Sequence, residues 1–209
     1  MSDIVRPRGP EEPVHLVNGE PVIIAEARIG AIVNFPVLED QGQGYVQKMF
    51  EKYVRSPGSR IIAVKDKKIY LQKEFRWEGE GYEWRLPGGK VVDSFTEFKQ
   101  YVGKTIPEVI VIEAARKELR EEAHLEAKRV RLFKKMICGT TVDWDLYYVI
   151  AEDVEKKELE YVHLEGEDME NTGWFTFDQV KKMCETGDIE EGRTVAALLQ
   201  FIYLEESRS

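Results

Sequence analysis

Cysteine and histidine are both scarce in this chain of 209 residues. The two cysteines, Cys138 and Cys184, lie far apart and form no CxxC pair, which argues against a disulfide framework and a thiolate zinc site. The histidines, His15, His124 and His163, are too scattered for an HExxH motif or a His-rich metal centre. A metal in this protein would therefore be held by oxygen ligands, the chemistry of Mg²⁺, Mn²⁺ or Ca²⁺. Long apolar runs are missing too: no stretch approaches the ~18 residues of a spanning helix, and the most apolar, such as 109–112, are short. The opening residues, MSDIVRPRGPEEP, carry charge and proline where a secretory signal needs an apolar stretch. The expectation is a cytoplasmic protein with no membrane partner. Positive charge is in deficit, with 30 Lys and Arg against 39 Asp and Glu, so the net charge of -9 repels long polyanions. It does not repel a small phosphate compound that arrives with a cation.

What is present is the composition of a folded domain, 43% hydrophobic and 33% charged, in a chain long enough for one domain plus an extension. Val22, Ile23, Ile24 and Ala25 read as a strand, and 31–37 as a second. After a break at Gly42 and Gly44, the spacing of Val46, Met49 and Phe50 predicts a helix over 45–53. Ser56-Pro57-Gly58-Ser59 is the clearest boundary, dividing an extension over 1–57 from a main domain over 58–209. A hairpin is expected over 61–75 with its turn at 65–68, then a short strand at 84–86 that runs into Pro87-Gly88-Gly89. Residues 91–111 carry no clear pattern. A helix follows over 112–123, paired strands over 130–138 and 144–151, and a short strand at 174–176. Thr176 and Gln179 form a capping-box signature for a helix that ends near Gly187. A last helix starts near Thr194 with Val195, Leu198, Leu199 and Ile202 on one face. Lys128, Arg129, Arg131, Lys134 and Lys135 read as a solvated or edge-protecting face. Strands and helices mix without strict alternation, so the fold class is α+β or a three-layer α/β/α arrangement.

The chemistry concentrates in Glu113 to Leu125, EAARKELREEAHL. At about 100° per residue, Ile112, Ala115, Leu119 and Ala123 make one apolar stripe, and Glu118 and Glu122 share a face on its flank. Glu121 is one turn from Glu118. Three carboxylates this close repel one another, and a divalent cation would relieve the repulsion. The plain alternative is a solvated face with Lys117 and Arg120 as local partners. Upstream, Leu86-Pro87-Gly88-Gly89-Lys90 ends a strand with glycines that let backbone groups approach a ligand.

The order of strand, glycine turn and helix with E-x-x-E-E resembles the Nudix hydrolases, whose box is G-x5-E-x7-R-E-U-x-E-E-x-G-U with U aliphatic. Residues Lys117 to Leu125 match its second half and Gly89 its first glycine. Lys117 replaces the box arginine and His124 its last glycine. About a dozen extra residues separate Gly89 from the helix, and the first box glutamate has no counterpart in register. The resemblance implies a Nudix-type α/β/α sandwich with a mixed central sheet and an N-terminal strand extension.

It also implies Mg²⁺-dependent hydrolysis, with Mn²⁺ as the substitute ion, of a nucleoside diphosphate linked to a second group. Glu118 and Glu122 are the implied ligands, Glu121 binds a second ion or assists the base, and the Gly88 carbonyl is a further ligand candidate. The implied base lies on the acidic loop 163–170, Glu167 first and Glu165 second, against the plain reading of a solvated loop. Arg76, Gly89 and Trp84 are expected at the substrate, with Trp77 and Trp144 as other indoles able to stack on a base. Lys73-Glu74-Phe75-Arg76 and the Ile189 to Leu199 segment resemble the ADP-ribose and nucleotide-sugar pyrophosphatase group, which implies a homodimer. The alternatives are a housecleaning or RNA-end pyrophosphohydrolase and a Nudix-fold nucleotide sensor without turnover.

Overall fold

The computed structural model describes residues 4–77, 79–156 and 169–208. In chain order the first five strands are β1 (Ile4–Arg6), β2 (His15–Val17), β3 (Val22–Ala27), β4 (Gly30–Asp40) and β5 (Tyr45–Arg55). Next come β6 (Gly58–Lys65), β7 (Lys68–Arg76) and β8 (Gly81–Arg85), then helices α1 (Phe95–Phe98) and α2 (Glu108–Glu121). Strands β9 (Leu125–Met136), β10 (Val142–Asp143), β11 (Leu146–Lys156) and β12 (Met169–Thr176) precede the closing helices α3 (Phe177–Thr186) and α4 (Gly192–Glu206). The chain forms two compact units, Met1–Ser56 with Val92–Ile106 and Ile137–Trp144, and Pro57–Val91 with Pro107–Met136 and Asp145–Ser209.

The first unit is a sheet in the order β1-β5-β4-β2, with β3 on β4 and β10 on β5. Its spine is the β4–β5 pair, in register from Gly30↔Arg55 to Asp40↔Tyr45. The helix expected over 45–53 is thus a strand. Tyr45, Val46, Phe50, Tyr53 and Val54 favour the pleated backbone, and β4 satisfies every second backbone group of the segment. In the strand Met49 and Phe50 point to opposite faces, and both are more than two-fifths exposed. The extra residues between the glycine turn and the acidic helix belong to this unit. Ser56 Oγ donates to Val92 O at 2.7 Å, Lys99 pairs with Glu26 at 2.7 Å, and Phe95, Phe98, Val102 and Ile106 are buried. Ser94 caps α1 by accepting the Glu97 N–H at 3.2 Å.

The second unit carries a mixed sheet in the order β12-β7-β6-β11-β9, with β8 on β7. Strands β6 and β11 run parallel, Leu146↔Gly58 to Ala151↔Ala63, and the other pairs are antiparallel. The β6–β7 hairpin closes through Asp66 (φ 51) and Lys67 (φ 55), the left-handed pair of a type I′ turn, at the predicted place. Strand β9 is the sheet's last strand, and its Lys128 and Arg129 are exposed, as an edge requires. Buried Ile61, Ile62, Val149 and Ile150 on the central strands, Val111, Ala115 and Leu119 on α2, and Leu198, Phe201 and Ile202 on α4 make up the core. Thr176 and Gln179 close the predicted capping box on α3, and Gly187 ends that helix at φ 84. On α4 the buried face is Thr194, Ala197, Leu198, Phe201 and Ile202, whereas Leu199 is 39% exposed.

Helix α2 begins four residues earlier than its apolar stripe suggests, because Pro107 starts it and Glu108 suits the positive end of the helix dipole. It stops at Glu121, and His124 turns the chain away at φ 51. That left-handed conformation crowds the Cβ of any residue but glycine. His124→Gly is expected to stabilise the protein by about 1 kcal/mol. A thermal melt should show the gain as a rise of roughly 2–4 °C, and a lowered midpoint would contradict it.

Candidate active site at a glycine turn

The residues after β8 run beside β6 as an irregular extra strand. Ile61 N–H donates to Pro87 O at 2.9 Å, Ser59 N–H to Gly89 O at 2.8 Å and Val91 N–H to Pro57 O at 2.9 Å. Space excludes a side chain at Gly88, and one at Gly89 would displace the Glu118 carboxylate. At Gly88 (φ 150) a Cβ would sit 2.2 Å from Ser59 O, and at Gly89 it would sit 2.1 Å from Glu118 Oε1. The backbone of the turn is therefore pressed against the acidic face of α2.

Glu122 makes the tie between the two. Its Oε2 accepts the Gly88 N–H at 2.8 Å and the Gln72 amide Nε2–H at 3.3 Å. Glu122 is buried, Glu118 half-buried and Glu121 exposed. Two carboxylates one helical turn apart thus meet one backbone turn, where donors offset part of their repulsion.

Beside them the sheet carries polar side chains in a mostly apolar core. Arg60, on β6, is only 8% exposed. Its Nη1 donates to Ser59 O at 2.9 Å and to Gly88 O at 3.1 Å. Burial, and then the charge of Arg85, push its pKa down. Further out, Arg76 Nη2 pairs with Glu74 at 2.7 Å and Arg85 Nη1 with Glu83 at 2.9 Å. Glu83 Oε1 also accepts the backbone N–H groups of Glu190 and Glu191, at 3.2 and 3.1 Å, just ahead of α4.

A family model for the NUDIX domain matches residues 55–198, more than half of the chain. The chain belongs to the Nudix family. Its α+β fold with a mixed sheet is the Nudix fold, and the family makes it a Nudix pyrophosphohydrolase. Among solved structures it is similar to a protein described as "Crystal structure of ADP compounds hydrolase". The TM-score is 0.63 at 21% identity, covering 96% of this chain and 97% of that one. No curated protein sequence matches it. No helix is long and apolar enough to cross a membrane among the described residues.

The Nudix box residues Glu118 and Glu122 are brought together with Gly88 and Gly89. Arg76 lies on the same sheet, half-buried against Glu74. Trp84 packs edge-on against Phe175 at 4.9 Å, whereas Trp77 is 84% exposed. Trp144 lies in the other unit, with the Arg55 guanidinium over its ring at 4.4 Å. Glu165 and Glu167 lie outside the described residues. Sequence reasoning missed Arg60, Gln72, Arg85, Glu83 and Glu191. Arg60 and Gln72 did leave a signal, a polar residue in each of two otherwise apolar strand runs, Ile61-Ile62-Ala63 and Ile69-Tyr70-Leu71.

Nudix hydrolases generally use divalent metal cations. Among the described residues no three His, Cys, Asp or Glu side chains are grouped to hold an ion. The groups that meet at the turn are the Glu118 and Glu122 carboxylates, with Glu122 bonded to the Gly88 N–H and Glu118 against Gly89, and the Gly88 carbonyl lies within the same turn. The Gln72 Oε1 is buried with no hydrogen-bond partner. This donor set fits a hard divalent cation that keeps part of its water.

Glu191 anchors the rear of the unit. Its Oε2 accepts from Thr194 N at 2.7 Å, Thr194 Oγ1 at 2.8 Å and the buried Tyr148 hydroxyl at 3.2 Å. Burial pushes the Tyr148 pKa up. Burial also raises that of Glu191, but hydrogen bonds from Arg193 and Thr194 outweigh it, so the carboxyl sits below its ordinary value. A depressed folded pKa gives stability that is present above the unfolded value, about 4.3, and lost as pH falls through the folded one. Glu191→Gln should therefore flatten the acid side of the stability profile. Urea melts between about pH 3 and 6 check this, and a wild-type slope in the variant would contradict it.

Proposed function

We propose that this Nudix protein hydrolyses the diphosphate bond of ADP-ribose or a nucleotide sugar and releases a nucleoside monophosphate, with Mg²⁺ as its cation. The observation that carries the reading is the convergence of Glu118 and Glu122 on the Gly88–Gly89 turn. The substrate class draws support from the likeness to an ADP compounds hydrolase over almost the whole of both chains. Glu118, Glu122 and the Gly88 carbonyl would hold the cation, and Glu121 would bind a second one or assist the base. A bound cation neutralises the phosphate oxygens and lowers the pKa of attacking water. The chain's own groups do the rest. Gly88 N–H and Gln72 fix the orientation of Glu122, and Arg76 presents planar donors to a phosphate or ribose. Gly89 keeps the floor of the site clear of side chain, and Trp84 or Trp77 borders the base. Glu167, with Glu165 second, remains the proposed base.

Purified protein with Mg²⁺ and ADP-ribose should release AMP, read by product mass, in a panel with nucleoside triphosphates and capped RNA. Glu122→Gln should retain the fold and lose more than about 100-fold in rate, beyond the ~10–100-fold typical of residues that only support a ligand. Undiminished turnover in the variant would sink the assignment.

The proposed setting is the cytoplasm, and the proposed assembly a homodimer formed through the extension 1–57, with 58–209 as the hydrolase domain. The N-terminal sheet exposes Val17 (81%), Val22 (51%), Ile24 (54%) and Phe50 (42%), an apolar content that suits a partner surface. Sedimentation should give about twice the chain mass of 24.2 kDa, and a monomer mass would contradict the dimer.

A further inference from the structure

Resting on the metal-site reading above, we propose that Arg60 is a positioning residue of this site, a buried clamp that holds the Gly88 carbonyl and thereby sets Glu122. Arg60 lies outside the Nudix box and immediately precedes the apolar Ile61-Ile62-Ala63 of β6, where packing alone would favour an aliphatic side chain. Among the described residues no carboxylate lies within ion-pair distance of it. It spends one nitrogen instead on two backbone carbonyls, Ser59 O at 2.9 Å and Gly88 O at 3.1 Å, and its Nε is buried without a partner. A buried cation is costly to retain for packing, so its geometry has to supply the reason.

That geometry is a relay across one peptide unit on each side of Gly88. Arg60 grips the carbonyl of Gly88, while the N–H of the same residue is held by Glu122 at 2.8 Å. Gly88 is thus fixed at both ends, at a φ of 150 that only glycine adopts readily. Its neighbour Gly89 lies against the Glu118 carboxylate, where a Cβ would sit 2.1 Å from Oε1. With Arg60 in place the carbonyl is oriented before any cation arrives, and its second lone pair remains available to one. Gln72 completes the arrangement from β7 by donating to the same Glu122 oxygen at 3.3 Å. Arg60 bonds to backbone carbonyls and to neither Glu118 nor Glu122. It acts through the turn.

The test compares wild type with Arg60→Met, which keeps length and apolar bulk, and Arg60→Lys, which keeps the charge on a single ammonium. Three quantities are read: hydrogen exchange of the Gly88 amide without cation, Mn²⁺ affinity by calorimetry, and kcat against KM for ADP-ribose. Arg60→Met should retain its circular dichroism yet exchange the Gly88 amide about tenfold faster or more. It should also bind Mn²⁺ some 10–100-fold more weakly and lose kcat rather than gain KM. Arg60→Lys should fall between the two. A folded Arg60→Met with wild-type Gly88 exchange and Mn²⁺ affinity overturns the clamp. Should Arg60→Met not fold, wild-type protein decides: slowly exchanging Arg60 Nη–H resonances with NOEs to Gly88 are expected, and their absence overturns it. Wild type that binds no Mn²⁺ would remove the metal-site reading and leave the Gly88 exchange comparison to decide the clamp.

Discussion

The bond from Gly88 N–H to a buried oxygen of Glu122 is the constraint on which the site depends. A carboxylate leaves water at considerable cost, and it stays charged inside a protein only where donors replace its hydration. Here one donor is a backbone amide that cannot rotate away and another is the side-chain amide of Gln72. The bond couples the end of α2 to the turn beside β6, so a helix end and a turn that are 34 residues apart in the chain are tied together. A side chain at Gly88 would break this coupling, because its Cβ would meet the backbone of Ser59 and Arg60, and one at Gly89 would displace the Glu118 carboxylate.

Around that bond the second unit is polar where a core would normally be apolar. Arg60 and Gln72 bond at the glycine turn, whereas Arg85, Glu83, Tyr148 and Glu191 bond at the sheet and the start of α4. Glu83 bonds to the chain ahead of α4, and Glu191 caps that helix while taking the Tyr148 hydroxyl. Hydrogen-bonded side chains of this kind are held in single orientations, although Arg60 Nε and Gln72 Oε1 are buried without a partner. A hydrolase needs that rigidity, since charged groups that must reorient during reaction lose much of their value.

Much of the second unit was legible in the sequence because its signals are local. The Asp66-Lys67 turn, the Thr176–Gln179 capping box, Gly187 and the acidic spacing of α2 each depend on a few neighbouring residues, and each lies where expected. The first unit was less legible. Val46, Met49 and Phe50 fit a helical stripe as numbers, but pairing with β4 along the whole segment outweighs that spacing. The inserted residues carry no periodic pattern, yet Phe95, Phe98, Val102 and Ile106 are buried, in a stretch that belongs to the same compact unit as residues far away in the chain.

The sequence by itself determined that two glutamates share a helix face and that a glycine turn ends a strand, since helical pitch and the steric freedom of glycine act over a few residues. Only the tertiary structure decided that these two pieces meet, that Glu122 is buried while Glu121 is exposed, and that Arg60 reaches the turn. Those outcomes depend on strand register and on which peptide groups need donors, and both are settled between segments distant in the chain.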